Sequence, residues 1–333
     1  MINCSSKDLE FIDPYEFVNT DFDQIGDLPT IVDEDQEVTE PEVGEVANSE
    51  ETQAIINEVM DLGESGEVSA ATKAKLEEVE TFIEQLPPAV NTAAQNLDAE
   101  AINNILDPSV ELSSDLQAVR DALSLPASVR QLLPVINFST DFRISSSANK
   151  SAVVYDINDS DIRSQSVSGP CADAARLSYE IKIEDLEAQR DANLAIVDGN
   201  YTRRLGEADT RYEQRLVEQE ERLATNTADI TTVLVDLLAA ADAAAAAGNF
   251  ELEAQIRQLT LLYAIDARAS LIEWNNLVLE LLEDTMAEEK AWAEERKTLR
   301  TAEVTAAFDA AKAQANTLLT SALNSCHNQG SGN

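Results

Sequence analysis

The sequence predicts a mainly α protein, an elongated antiparallel helical hairpin of coiled-coil type with a small helical N-terminal region and a short β-hairpin. Three observations predict it. No proline follows Pro170 in a chain of 333 residues, so no ring clash interrupts a helix from there on. Leu216, Leu223, Ile230 and Leu237 recur every seven residues, and Tyr201, Leu205, Ala208 and Tyr212 continue the stripe upstream, as in a coiled-coil seam. One break, Ala247-Gly248-Asn249-Phe250, divides the run equally: Gly248 lies 77 residues after Cys171, and Cys326 lies 77 after Asn249.

Residues 1–48 read as an acidic, extended docking arm. Between Asp8 and Glu50 there is no lysine or arginine, and Pro14, Pro29 and Pro41 interrupt any helix. A merely solvating tail has little use for aromatic rings, yet Phe11, Tyr15, Phe17 and Phe22 stand among the acids. Rings that fill pockets and acids that meet a basic rim describe a peptide docking on a neighbouring subunit.

Residues 49–134 read as a bundle of short helices. Ser49 caps the first, with Glu50 and Glu51 in its opening turn and Gly63 at its end. A second runs from Ala70 to Leu86 before Pro87-Pro88, and a third from Pro88 to Leu106. Asp107-Pro108 reads as N-cap and first helical residue of a fourth, reaching Leu125 before Pro126. Helices this short must pack together or on something larger.

Residues 135–168 change period. Ile136, Phe138, Phe142 and Ile144 alternate with polar residues, as do Val153, Tyr155 and Ile157, around a polar loop from Ser145 to Ser151. Two strands alone are marginal in water, so this β-hairpin needs helices to cover it or a strand added by a neighbour.

Residues 169–326 form the long hairpin, opened by Gly169-Pro170 with Asp173 in the first turn. Gly248 takes the left-handed position that ends the first helix, and Asn249 caps the second. Val304, Phe308, Ala311, Ala315, Leu318 and Ala322 trace the returning seam. Each arm would span roughly 110 Å if fully helical. Gly199 and Gly206 weaken the first arm locally and could admit a bulky residue from the facing helix. The lower half is polar, with Glu207 and Arg211, and Glu218 and Arg222, at the favourable spacing of four. Residues 327–333 read as a flexible tail.

Near the turn the apolar surface is wider than one seam. Leu234 and Leu238 on one arm and Leu262, Trp274, Leu277 and Leu281 on the other mark this zone. Leu277, Val278, Leu279 and Leu281 point all round a helix, so the excess must meet the chain's own short helices or neighbouring subunits. Facing residues of an antiparallel pair have a constant sum of residue numbers. Gly248 and Asn249 set that sum, and Cys171 and Cys326 satisfy it, which places the two cysteines level and within reach of a disulfide.

Charge narrows the function. Lys+Arg is 23 against Asp+Glu 63, a net charge of -40. Such a surface repels phosphate backbones and anionic lipid, so no nucleic acid and no membrane partner is expected. Val233 to Ala247 is too short and too interrupted to span a bilayer, and the first residues lack the apolar run of a signal peptide. No catalytic, cofactor or metal site is expected. His327 stands beside Cys326 in a polar tail that holds no pocket for a nucleophilic pair. Asp156 to Asp161 resembles the opening of a calcium loop, but Asp161 replaces its glycine and Val167 its closing glutamate.

The expectation is a non-catalytic structural or assembly subunit of a multi-subunit particle, binding other proteins and copies of itself. A virion component such as a tailed-virus head, neck, tail or fibre protein fits best. The alternative is a cytosolic or surface coiled-coil adaptor or spacer linking two partners. An enzyme comes last.

Overall fold

The computed structural model describes residues 19–35, 37–62, 66–121, 125–138 and 167–327. In chain order they form a 3-10 turn (Asn19–Gln24), β1 (Glu45–Ala47), α1 (Glu50–Met60), α2 (Ala70–Ile83), α3 (Pro88–Gln95), α4 (Ala99–Leu106), α5 (Ser114–Asp121), α6 (Ala127–Arg130), β2 (Val135–Asn137), α7 (Pro170–Ala246) and α8 (Phe250–His327). The long helices α7 and α8, of 77 and 78 residues, pack against each other. The chain divides into two compact units. One comprises Met1–Glu37, Ser145–Ala208 and Glu289–Asn333; the other comprises Val38–Ile144 and Asp209–Glu288.

The turn between the long helices closes by backbone bonds. Gly248 has φ 78°, its N–H donates to Ala245 O at 2.9 Å, and Asn249 N–H donates to Ala244 O at 2.9 Å. This nested pair satisfies carbonyls that the end of α7 would otherwise leave open. The Asn249 side chain then accepts from Leu252 N at 3.2 Å and caps α8.

In the unit that contains the turn, one core joins the long helices to all six short ones. Ile230, Leu234 and Leu237 of α7 and Ile256, Leu259, Tyr263 and Trp274 of α8 are buried with Ile55, Leu76, Val90, Ile102 and Leu132. The wide apolar zone is therefore interior. Leu234, Leu262 and Trp274 are buried, and Leu238 and Leu281 pack against the same core, half-covered. The chain's own short helices cover a surface that could have served neighbouring subunits. Leu277 is half-buried in a groove with Ala269, Ile272 and Arg120.

Two boundaries differ from the sequence reading. The helix expected over Pro88–Leu106 is two helices, because Asp98 leaves helical geometry and caps α4 by accepting from Ala101 N at 2.8 Å. The helix expected from Asp107-Pro108 begins instead at Ser114. The Asp107 carboxylate accepts from Ser109 N and Oγ, a local turn that competes with helix. Arg268 of α8 then donates to the carbonyls of Ile105, Asp107, Pro108 and Val110, holding that turn as a loop.

Strand β2 occupies the start of the expected hairpin, but its partner is the acidic arm. β1 pairs antiparallel with β2, Val46 opposite Ile136. Gly44, at φ 59°, admits this approach: a Cβ there would stand 1.8 Å from Asn137 O. The remainder of the expected hairpin, with the acidic loop at Asp156–Asp161, lies outside the described residues.

In the other unit, Ala172, Ala175 and Leu186 of α7 pack with Phe308, Ala311, Ala315 and Leu319 of α8. Cys171 and Cys326 form a disulfide with Cα atoms 5.8 Å apart. Helix α8 continues through His327, where the sequence suggested a tail; residues 328–333 lie outside the described set. Neither Gly199 nor Gly206 receives a bulky neighbour, since a Cβ at either would meet nothing within 4 Å. No helix among the described residues is long and apolar enough to cross a membrane.

These glycines give a paired prediction. Gly199→Ala adds a helix-favouring methyl in open space and is expected to raise unfolding stability by about 0.5–1 kcal/mol. Gly248→Ala forces a side chain into left-handed backbone and is expected to lower it by about 1 kcal/mol or more. Thermal melts of the two variants check the opposite signs.

Candidate functional site: the acidic strap

The most elaborate polar construction in the described residues lies where the acidic arm crosses the long helices. It starts from composition. A segment without lysine or arginine cannot neutralise its own carboxylates, and a chain of net charge -40 has few cations to offer them. The long helices supply arginines at matching levels.

In the unit closed by the disulfide, the arm enters through apolar contacts. Phe22, Ile25 and Leu28 are buried against Ala172, Ala175, Leu186 and Phe308, and the Phe22 ring meets Tyr179 edge-on at 6.4 Å. Gln189 then clamps the backbone, accepting from Leu28 N at 2.7 Å while donating to Asp27 Oδ1 at 3.0 Å. Asn193 donates to Pro29 O at 3.2 Å.

Asp33 is the node. Its side chain is 2% exposed, and that of Arg204, which donates to Asp33 Oδ2, is 6% exposed. Arg296 and Arg300 donate to Asp33 Oδ1 at 3.0 and 3.2 Å. Arg204 also donates to Asp35 at 3.1 Å and to Glu34 O at 3.0 Å, and Arg203 pairs with Asp35 from the exposed side. The Trp292 ring carries both the Arg204 and Arg296 guanidiniums, at 4.9 and 5.7 Å from its centroid. Burial by itself raises the Asp33 carboxyl, but hydrogen bonds and charge from Arg204, Arg300 and Arg296 outweigh it and hold the group below its usual range. The hydrogen bond from Arg203 lowers Asp35 likewise.

In the other unit the arm continues with the same chemistry. Arg215 grips Glu40 with two bonds, at 2.8 and 3.1 Å, and this hydrogen bonding holds the Glu40 carboxyl below its ordinary value. Trp274 Nε1 donates to Val43 O at 2.9 Å, and the Tyr263 hydroxyl donates to Asn48 Oδ1 at 2.7 Å. Beneath the short helices lies Asp266, which burial pushes up to about 6; Arg130 opposes the rise and Glu273 adds to it.

Of the expected docking rings, Phe22 is taken up by its own chain, because the apolar seam of α7 and α8 passes directly beneath it. Phe11, Tyr15 and Phe17 lie outside the described residues. Sequence reasoning missed Asp33, Asp35, Glu40, Arg204, Arg215, Arg296, Arg300 and Trp292. A signal was present: the constant-sum rule places Arg203-Arg204 near the level of Arg296, Lys297 and Arg300, and cations gathered in so acidic a chain require a buried anion. Chemically the arrangement is a clamp. It fixes carboxylates between guanidiniums.

Two predictions follow from these charges. The Asp33 carboxyl is depressed when folded, so its contribution is present above its unfolded value of about 3.9 and is lost as pH falls through the lower folded value. Asp33→Asn removes the one anion that Arg204, Arg296 and Arg300 share and is expected to cost about 3–5 kcal/mol at pH 7. In urea titrations the gap from the parent chain is expected to close towards pH 3. Asp266 has the opposite sign. Raised to about 6, it destabilises the fold increasingly as pH climbs from its unfolded value through that point. Asp266→Asn is therefore expected to raise the melting temperature at pH 7 and to leave it unchanged at pH 4.

No protein-family model, curated protein or solved structure matches this chain.

Proposed function

We propose that this chain is a non-catalytic structural subunit of a multi-subunit particle, a virion component in the first instance. The carrying observation is that the buried Asp33 carboxylate is held by Arg204, Arg296 and Arg300 together, strapping an extended arm onto two packed helices. Such an investment stiffens a two-helix pair, which by itself buries one stripe per helix. The Cys171–Cys326 disulfide supports the same reading, since such bonds persist where a protein is exposed outside a reducing cytoplasm. A virion part meets that condition, as a surface spacer would, and a cytosolic spacer does not.

The spacer reading keeps one point in its favour: the wide apolar zone near the turn is already covered by the chain's own short helices. Light scattering on the disulfide-intact chain after size exclusion separates the two. A subunit of a particle is expected to show a mass above one chain that grows with concentration. A single-chain mass at every concentration would overturn the particle reading in favour of the spacer.

A further inference from the structure

The outer face of α7 carries apolar side chains that nothing in the described residues covers. In the unit closed by the disulfide, the inward positions of α7 are Ala172, Ala175, Leu186, Val197 and Arg204, all buried. On the opposite side Leu177 is 58% exposed and Ile181 is 56% exposed, one helical turn apart. Ala188, Ala192 and Ala195 extend the line at helical spacings, all exposed, with Ile196 at its margin, 44% exposed. Alanines let a second helix approach closely, while Leu177 and Ile181 offer the side chains that would anchor it.

One edge of this line is a row of acids, Glu180, Glu184, Glu187 and Asp191, at spacings of three and four. Glu180, Glu184 and Glu187 make no ion pair among the described residues, whereas Asp191 is met by Arg190 at 2.8 Å. The row decides what fits the face. A second copy would bring the same carboxylates against these and be repelled, and so would any acidic segment of the chain itself.

We infer that the α7 face from Leu177 to Ile196 docks an amphipathic helix of another protein, one with an apolar stripe flanked by lysine or arginine. This names the chemistry of a partner within the particle proposed above and rests on that reading. The chain thus uses one charge code twice. Its acidic strap meets its own arginines, and its acidic outer edge is left for a partner's cations.

The probe is a synthetic helical peptide with a leucine–alanine stripe flanked by lysines, beside a twin flanked by glutamates. Titrated into the intact chain at moderate salt, the lysine peptide is expected to bind and the glutamate twin is not. The double variant Leu177→Gln/Ile181→Gln keeps the charge and the helix propensity, and is expected to weaken binding at least tenfold. Equal binding to parent and variant would mean attraction to net charge alone and overturn the proposal. A lower melting temperature of the variant without peptide would show the face covered by its own chain, and a fall in its mass by light scattering would show a second copy there; either overturns it. If the parent chain self-associates while the variant binds the peptide equally well, the docking face fails and the particle reading stands.

Discussion

Two packed helices bury one stripe of each cylinder, and α7 and α8 present more apolar surface near their turn than one stripe holds. Leu261, Leu262, Tyr263, Ala264 and Ile265 of α8 are consecutive and all buried, which no two-helix contact achieves. Covering them requires other elements of the chain, and the short helices are those elements. They are too short to persist alone. Their ends are fastened to α8 by side chains: Arg257 donates to Leu97 O, Gln258 to Asn91, Gln255 to Glu80, and Arg268 to the loop after α4. The helical platform and its cover are thus mutually dependent. One supplies length and apolar area, and the other supplies closure.

Where α7 and α8 lack that apolar excess, the covering element is an extended strap held by charge. A buried ion pair is seldom stabilising against a well-packed apolar alternative, because desolvation offsets the Coulomb attraction. Its contribution lies in specificity. Asp33 accepts from three arginines at distinct levels, so a shift of the strap by one residue would leave those guanidiniums without their anion. The strap has two further position markers in the other unit, the bidentate pair at Glu40 and the glycine at position 44 that alone tolerates the approach of Asn137. Register along an extended segment is otherwise weakly determined. Here it is fixed by residues that admit one alignment.

The strap and the half-buried Asp266 respond to protons in opposite directions. Acid below the ordinary carboxylate range weakens the hold on Asp33, while a rise towards neutrality charges Asp266 where burial disfavours the charge. The acidity of the whole chain has a structural part in the strap and a residual part on the outer faces.

The hairpin was legible because its determinants are local and periodic. Equal arms, a glycine at the turn, an asparagine cap and a seven-residue apolar repeat each act within a few residues, and together they set which cysteines lie level. The caps at Ser49 and Asn249 and the stop at Pro87-Pro88 were equally readable. Asp98 and Asp107 were not, since each can open a helix or end one, and arginines some 160 positions away, Arg257 beside Asp98 and Arg268 at Asp107, hold the chain there. Tertiary structure also chose the partner of β2, because a three-residue strand carries no record of what will pair with it, and the pairing segment reads as part of an acidic docking arm. Above all it decided that the described part of the acidic arm, from Phe22 onward, binds its own chain. Sequence specifies that carboxylates need cations and that rings need cover. Which cations and which cover follow from folding, when the long helices bring Arg204, Arg296 and Arg300 within reach of one carboxylate and only then create a site for Asp33.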